Sequence, residues 1–133
     1  MKSMDVADQD LSEQEIAMAK ADELHEKAME LVSIYIEGEG RNWKKDDTRR
    51  VEIARKALQL EKEALELTEI TLQPSHSILA RSAAWTALDA LDFSEASRLV
   101  ALGLNNVIDP KIRGELEDVQ REIKARLDKT MGV

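Results

Sequence analysis

The chain has 133 residues, a formal net charge of −8 and no cysteine. This length predicts a single domain, residues 1–133, that can bury a sizeable core, and the lack of cysteine excludes disulfides, thiolate metal sites and cysteine nucleophiles. The polar N-terminal sequence "MKSMDVADQD" lacks the apolar stretch of a secretory signal, and no apolar run approaches the ~20 residues of a membrane span. We therefore expect a cytoplasmic protein, with residues 1–11 disordered or extended.

Charge is unevenly distributed along the chain. Residues 1–40 hold 11 acids and 3 bases, whereas residues 41–60 hold 7 bases and 3 acids. The acidic whole argues against nucleic-acid binding, because phosphate contacts need clustered lysine and arginine. The basic segment from Arg41 to Lys56 is the exception. It leaves open the alternative of a small regulatory or nucleic-acid-associated subunit.

Apolar residues recur every three or four positions, which predicts helices and no strands. The first helix is expected to begin at Ser12, where Glu15 follows at the spacing of a capping box. It is expected to end near Glu37, because the glycines of "GEG" break the pattern immediately afterwards.

The second and third helices are separated by a proline. Three polar residues at 46–48 are candidate N-caps for the second helix, and Pro74 limits its end to about residue 72. The third helix is expected from about Ser75 to Leu91. Because it is apolar nearly all round, we expect it to be central in the fold and buried on more than one side.

The last two helices each begin at an aspartate. Asp92 is expected to cap the fourth helix, which extends to about Leu104. Asp109 is expected to cap the fifth helix, with Pro110 at the first helical position, where its missing N–H does no harm. A single apolar stripe on the fifth helix predicts that it covers one end of the fold.

Small residues follow a regular spacing in "AWTALDALDFSEASRLVALGL", where Ala84, Ala96 and Gly103 lie 12 and then 7 residues apart. Two helices approach closely only where the facing side chains are small. From Ser77 to Pro110 the pattern resembles the tetratricopeptide repeat (TPR), a helical hairpin of about 34 residues. The resemblance implies an all-α fold of five helices, with two TPR-like antiparallel hairpins and a C-terminal capping helix. Generic antiparallel helix pairs are the alternative.

The resemblance also implies a function. In that family the first helix of each hairpin lines a concave groove, which would identify as partner-binding residues Ile78, Arg81, Trp85, Leu88 and Asp89. We therefore expect a non-enzymatic protein–protein interaction module, or a small adaptor, that binds a protein or peptide partner there. The alternative is that the first or fifth helix covers this face. With only about two repeats, leftover apolar surface would also allow a homodimer.

Trp43, in the loop "GEGRNWKKDD", is the remaining partner-binding candidate. It either folds back on the core, which we favour, or stays exposed as an anchor for a partner. His25 and His76 lack partners at a spacing recognisable for metal binding or nucleophilic catalysis, so we expect a solvated histidine and a first-turn one. We predict no catalytic residue, metal or cofactor, and carboxylate chemistry is only a third hypothesis.

Overall fold

The computed structural model describes residues 6–130, and it describes the side chains of residues 13–129. Within this part of the chain there are five helices and no strand, which confirms the all-α class. We number them in chain order: α1 Val6–Gly40, α2 Thr48–Glu66, α3 Ser75–Asp89, α4 Phe93–Asn106 and α5 Pro110–Thr130.

The expected N-caps of the last two helices and of α2 are confirmed. The side chains of Asp47, Asp92 and Asp109 each accept a hydrogen bond from a backbone amide in the following first turn, at 2.9, 3.1 and 2.8 Å. Each bond satisfies an N–H group that has no partner inside the helix. These three aspartates therefore define where α2, α4 and α5 begin.

The first helix is longer than the sequence indicated. It begins at Val6, so the expected start at Ser12 is wrong, and residues 6–11 are helical and not extended. The reason is that residues 6–11 contain no glycine or proline to stop a helix. Residues 1–5 lie outside the described residues. At its other end α1 continues to Gly40, past the expected end at Glu37.

Contacts between named side chains give the directions of the helices. Glu39 near the end of α1 pairs with Arg50 near the start of α2, whereas His25 pairs with Glu61 further along α2, so α1 and α2 are antiparallel. The Tyr35 hydroxyl then reaches Asp89 at the end of α3, so the ends of α1 and α3 lie side by side.

The third helix is the centre of the fold, as its all-round apolar character predicted. It packs against α2, α4 and α5. Arg81 contacts Glu115, and Arg126 lies 3.4 Å from the carbonyl oxygen of Leu88, so α3 and α5 run in the same direction. As a result α1, α3 and α5 run in the same direction, because the ends of α1 and α3 also lie side by side.

Small residues do allow close helix packing. Ala84 and Ala96 are completely buried. A Cβ atom added to Gly103 of α4 would lie 3.2 Å from the Cβ of Ala80 on α3 and 2.9 Å from a methyl group of Leu116 on α5. Gly103 therefore marks the point where three helices meet, and a larger residue would push them apart.

The turn between α3 and α4 has a leucine where the backbone favours glycine. Leu91 has φ of 60°, in the left-handed region. The amide of Leu91 donates to the carbonyl oxygen of Leu88 at 3.0 Å, and that of Asp92 donates to Ala87 at 2.9 Å. These two bonds form a Schellman motif, whose left-handed residue is usually glycine.

We expect Leu91→Gly to raise the free energy of unfolding by about 0.5–1 kcal/mol, because glycine adopts this conformation without steric cost. Leu91 is 37% exposed, so little packing is lost. Chemical denaturation of the wild type, Leu91→Gly and Leu91→Ala would measure the effect. The alanine variant also shortens the side chain but stays strained, so it should be less stable than the glycine variant. Equal stability of the two would contradict the backbone explanation.

Candidate functional site

A shallow groove lies between the C-terminal halves of α1 and α3, and Trp85 forms part of its wall. Its volume is about 220 Å³, and its lining residues are Met29, Val32, Tyr35, Arg81, Ser82, Trp85, Thr86 and Asp89. The Trp85 side chain remains 37% exposed. Neither α1 nor α5 fully covers this face of α3. An open groove therefore describes the molecule better than a face that is covered by another helix.

A second cavity lies between the same two helices, nearer the start of α3. It has a volume of about 150 Å³, and its lining residues include Met18, Asp22 and His25 from α1 and Ser75, Ile78 and Leu79 from α3. Both cavities therefore lie along one seam between α1 and α3. We call this surface, from Met18 and Ser75 to Tyr35 and Asp89, the α1/α3 groove.

One end of the groove is held by a cluster of charges around the buried Arg50. Arg50 is 3% exposed, and its Nη2 atom donates to Glu39 at 2.8 Å and to Asp89 at 3.4 Å. The Tyr35 hydroxyl donates to the other oxygen of Asp89 at 2.7 Å, and the guanidinium carbon of Arg50 lies 4.8 Å from the centre of the Tyr35 ring. The Asp89 carboxylate is thus oriented from two helices.

The same cluster holds the Tyr35 hydroxyl in its protonated form. Burial raises the pKa of Tyr35 above its usual value, and the neighbouring Asp89 carboxylate raises it further. A protonated hydroxyl is the state that donates the hydrogen bond to Asp89. This cluster therefore holds the Asp89 carboxylate in one orientation.

Three of the predicted groove residues lie where expected. Arg81, Trp85 and Asp89 line the groove, although Arg81 forms an ion pair with Glu115 of α5 and Asp89 is bonded internally. Ile78 is half-buried, lines the cavity near the start of α3, and also packs against the apolar cluster between α4 and α5.

The prediction for Leu88 as a partner-binding residue is wrong. Its side chain is completely buried in the core. Leu88 lies three positions after Trp85, which rotates it by about 300° around a helix of 3.6 residues per turn. This rotation is equivalent to a displacement of about 60° in the opposite sense, and because α3 packs against α2, α4 and α5 it is enough to move a side chain from the groove into the core.

Trp43 folds back on the protein, as we favoured. Its ring is half-buried and packs against the cluster formed by Tyr35, Ala54 and Ala90. A Cβ atom at Gly38 would be only 2.1 Å from the ring, and the guanidinium carbon of Arg49 lies 4.5 Å from its centre. The Trp43 ring therefore contacts residues of its own chain and is half-buried, so a fully exposed anchor does not describe it.

Two of the arginines in the basic segment from Arg41 to Lys56 make contacts within the protein. Arg50 is buried, and Arg49 pairs with Asp47 while it covers Trp43. Arg41 and Lys56 at its two ends are exposed. The internal pairing of two of its bases reduces the charge that this segment offers to a phosphate backbone.

His25 has a partner that sequence spacing missed. Its Nδ1 atom lies 2.6 Å from Oε1 of Glu61, whose side chain is completely buried. The hydrogen bond to Glu61 raises the pKa of His25, against the opposing effect of burial. Two further charges face this histidine: Asp22 raises its pKa, and Arg81 of α3 lowers it. Because the partner is 36 positions away in sequence, local spacing carried no signal.

His76 has the opposite environment. It lies in the first turn of α3, is 3% exposed, and its Nδ1 atom has no hydrogen-bond partner among the described residues. Burial lowers the pKa of His76 below its usual value. The folded structure therefore raises the pKa of His25 and lowers that of His76.

We expect the contribution of the two histidines to the free energy of unfolding to be greatest near about pH 6.5, the ordinary pKa of histidine, and to fall on either side of it. The raised pKa of His25 means that its contribution is complete below about pH 6.5 and is lost as the pH rises through its folded value. The lowered pKa of His76 means that its contribution is present above about pH 6.5 and is lost as the pH falls.

Urea unfolding across the pH range would separate these effects. His25→Gln should flatten the loss of stability on the alkaline side and leave the mildly acidic side unchanged. His76→Gln should flatten the loss of stability on the acidic side and leave the alkaline side unchanged. An alkaline side that keeps its slope in His25→Gln would rule out this role of the His25–Glu61 pair.

The described residues offer no group of three or more His, Cys, Asp or Glu side chains arranged to hold a metal ion. Within residues 6–130, none of the helices combines the length and the apolar character needed to cross a bilayer. Comparisons with protein-family models, curated proteins and solved structures found no match to this chain.

Proposed function

We propose that this protein is a non-enzymatic interaction module, a small adaptor that binds a peptide or helix of a partner protein in the α1/α3 groove. The observation that carries the proposal is the partly exposed Trp85 ring in an open groove beside Met29 and Val32. A large aromatic side chain in a groove is the kind of residue that contributes most to binding energy. The proposal keeps the cytoplasmic location expected from the sequence.

The arrangement of helices supports the TPR-like part of this proposal. The pair α1 and α2 is antiparallel, while α1, α3 and α5 run in the same direction. In a TPR-like stack of helical hairpins the first helices are likewise parallel to one another, and repeat proteins use the concave face that such helices form for binding. The proposed groove lies between two of these first helices.

Packing of the groove walls favours a preformed binding site. Asp89 is oriented by Tyr35 and Arg50, and Arg81 by Glu115, so these polar groups do not need to be ordered when a partner binds. Preorganised side chains lower the entropic cost of association. Met29 adds an adaptable apolar surface, since methionine adjusts to irregular partners.

A random peptide library displayed on phage and selected on the wild-type protein tests the proposal. Affinities of the enriched peptides are then measured for the wild type, Trp85→Ala and Ser82→Phe. We expect each groove variant to weaken binding by about tenfold or more. Ser82→Phe fills the groove without removing core packing, so it keeps the test valid if Trp85→Ala unfolds.

The matched control is Ile108→Ala, which truncates an apolar side chain that is 78% exposed in the loop between α4 and α5. It should bind the selected peptides like the wild type. If no peptide is enriched, or if the enriched peptides bind both groove variants as well as the control, the proposal fails. Light scattering on the same samples would reveal a homodimer that occupies the groove, which would also overturn it.

A further inference from the structure

The N-terminal part of α1 packs on the protein through small side chains. Within residues 13–28, which we call the α1 strap, the buried side chains are Ala21, Leu24 and Ala28. Alanine buries little apolar surface, so these contacts contribute little to the docking of the strap. The C-terminal part of α1 is held more firmly, because the buried Tyr35 bonds to Asp89 and Glu39 pairs with Arg50.

Two cavities lie beneath the α1 strap. One has a volume of about 150 Å³ and lies between the strap and the start of α3. The other has a volume of about 170 Å³ and lies between the strap and residues 67–72, which follow the end of α2. Met18 lines both. Cavities of this size are large enough to admit water, so the strap makes incomplete contact with the elements below it.

A titratable pair joins the α1 strap to α2. The Glu61 side chain is completely buried, and its Oε1 atom lies 2.6 Å from Nδ1 of His25. Its Oε2 atom has no hydrogen-bond partner among the described residues. The His25 side chain is 33% exposed, so it can exchange protons with the solvent. The ion pairs of Lys20 and Lys27 with Glu23, by contrast, stay within α1.

The proton on His25 decides how strongly this pair holds. A protonated imidazole compensates the charge of the buried Glu61 carboxylate and donates a charge-assisted hydrogen bond, which is about twice as strong as a neutral one. With a neutral His25, the buried carboxylate loses that compensating charge, which is a costly state. Detachment of the strap removes this cost, because it exposes Glu61 to water.

Charged groups face His25 from each helix around it: Glu61 from α2, Arg81 from α3 and Asp22 from α1 itself. The hydrogen bond to Glu61 raises the pKa of His25, burial lowers it, Asp22 raises it and Arg81 lowers it. The balance is a raised pKa, so the protonated pair persists above the ordinary pKa of histidine.

We propose that His25 and Glu61 form a pH-dependent switch that controls the docking of the α1 strap. The strap stays docked while His25 is protonated. It opens more often as His25 loses its proton, while the C-terminal part of α1 stays in place. Because His25 lines the cavity between the strap and α3, opening of the strap also opens this cavity. This inference concerns the fold itself and holds whether or not the groove binds a peptide.

Hydrogen exchange of the full chain, followed by mass spectrometry, tests the switch from about pH 5.5 to about pH 8.5, a range that brackets the ordinary pKa of histidine. Protection factors remove the intrinsic effect of pH on exchange. We expect residues 21–28 to be less protected than residues 83–88 of α3 throughout. Their protection should fall by about tenfold or more as His25 loses its proton. Equal protection of the two segments at every pH would mean that the strap opens only on global unfolding, and would overturn the inference.

Two substitutions assign the pH dependence to the pair. Glu61→Gln removes the buried charge and keeps the size of the side chain, so the strap should lose its pH dependence and be better protected than in the wild type at alkaline pH. His25→Gln removes the titrating group, so the strap should be weakly protected at every pH. Glu61→Gln keeps the test valid if His25→Gln does not fold.

His76→Gln is the matched control, because His76 is a buried histidine that lies outside the strap and both of its cavities. Residues 21–28 should keep the wild-type pH dependence in this variant. The inference is overturned if the strap of Glu61→Gln keeps its pH dependence, or if His76→Gln abolishes it.

Discussion

Arg50→Ala is expected to lower the free energy of unfolding by about 3 kcal/mol, the lower end of the cost of removing one partner from a buried ion pair. The substitution leaves Asp89 and Glu39 facing each other without the guanidinium that now bridges them. It also removes the flat group that covers the Tyr35 ring. We place the effect at the lower end because the carboxylates retain contact with water, with 19% and 45% of their side chains exposed.

Chemical denaturation of a small series would establish the cause. Arg50→Lys keeps the positive charge but cannot bridge two carboxylates and stack on a ring at once, so it should be intermediate. Tyr35→Phe removes only the hydroxyl that donates to Asp89 and should cost about 1 kcal/mol. An Arg50→Ala protein as stable as the wild type would show that the cluster does not stabilise the fold.

The boundaries of most helices could be predicted because their signals are local. Asp47, Asp92 and Asp109 cap the amides that immediately follow them, and the side chain and backbone involved are neighbours in sequence. The start of α1 could not be predicted in this way. Ser12 and Glu15 have the spacing of a capping box, but a helix that begins further upstream passes through the same residues without contradiction.

Sequence periodicity identified the groove only in part. Arg81, Trp85 and Asp89 recur at helical spacing, so they could be assigned to one face of α3 before their surroundings were known. The partners that orient them could not be assigned, because Tyr35, Arg50 and Glu115 come from three other helices. Leu88 was misassigned because periodicity gives the relative angle of two side chains but not the position of the boundary between surface and core.

The buried charges of Arg50 and Glu61 also fix how the helices around the groove are aligned. An apolar residue in place of Arg50 or Glu61 would avoid the cost of removing a charge from water. These two residues instead connect α2 to α1, and Arg50 also connects it to α3, by contacts that depend on direction. Apolar packing alone tolerates a shift of one helix along another, whereas a shifted Arg50 would lose Glu39 and Asp89. The cluster therefore sets the alignment of the two helices that form the groove.

Gly103→Val is expected to lower the free energy of unfolding by about 3 kcal/mol, because overpacking of a tight core is costly and a β-branched residue adds two methyl groups. The first added carbon would already lie 3.2 Å from the Cβ of Ala80, which is fixed to the backbone of α3. Leu116, on the other side, is completely buried and has little room to move. Circular-dichroism melting curves and urea unfolding would measure the loss.

Gly114 of α5 provides a matched control, since a Cβ atom there would have no neighbour within 4 Å. Alanine is favoured over glycine in a helix, so Gly114→Ala should stabilise the protein by about 0.5–1 kcal/mol. Gly103→Ala gains the same helical preference but must push Leu116 aside, so it should be less stable than Gly114→Ala by about 1–2 kcal/mol. The difference between the two alanine variants isolates the close contact of α3, α4 and α5 from the general preference against glycine. If both variants were stabilised equally, the spacing of small residues along α3 and α4 would have no packing role at Gly103, and the resemblance to a repeat built on close helix contacts would lose its physical basis.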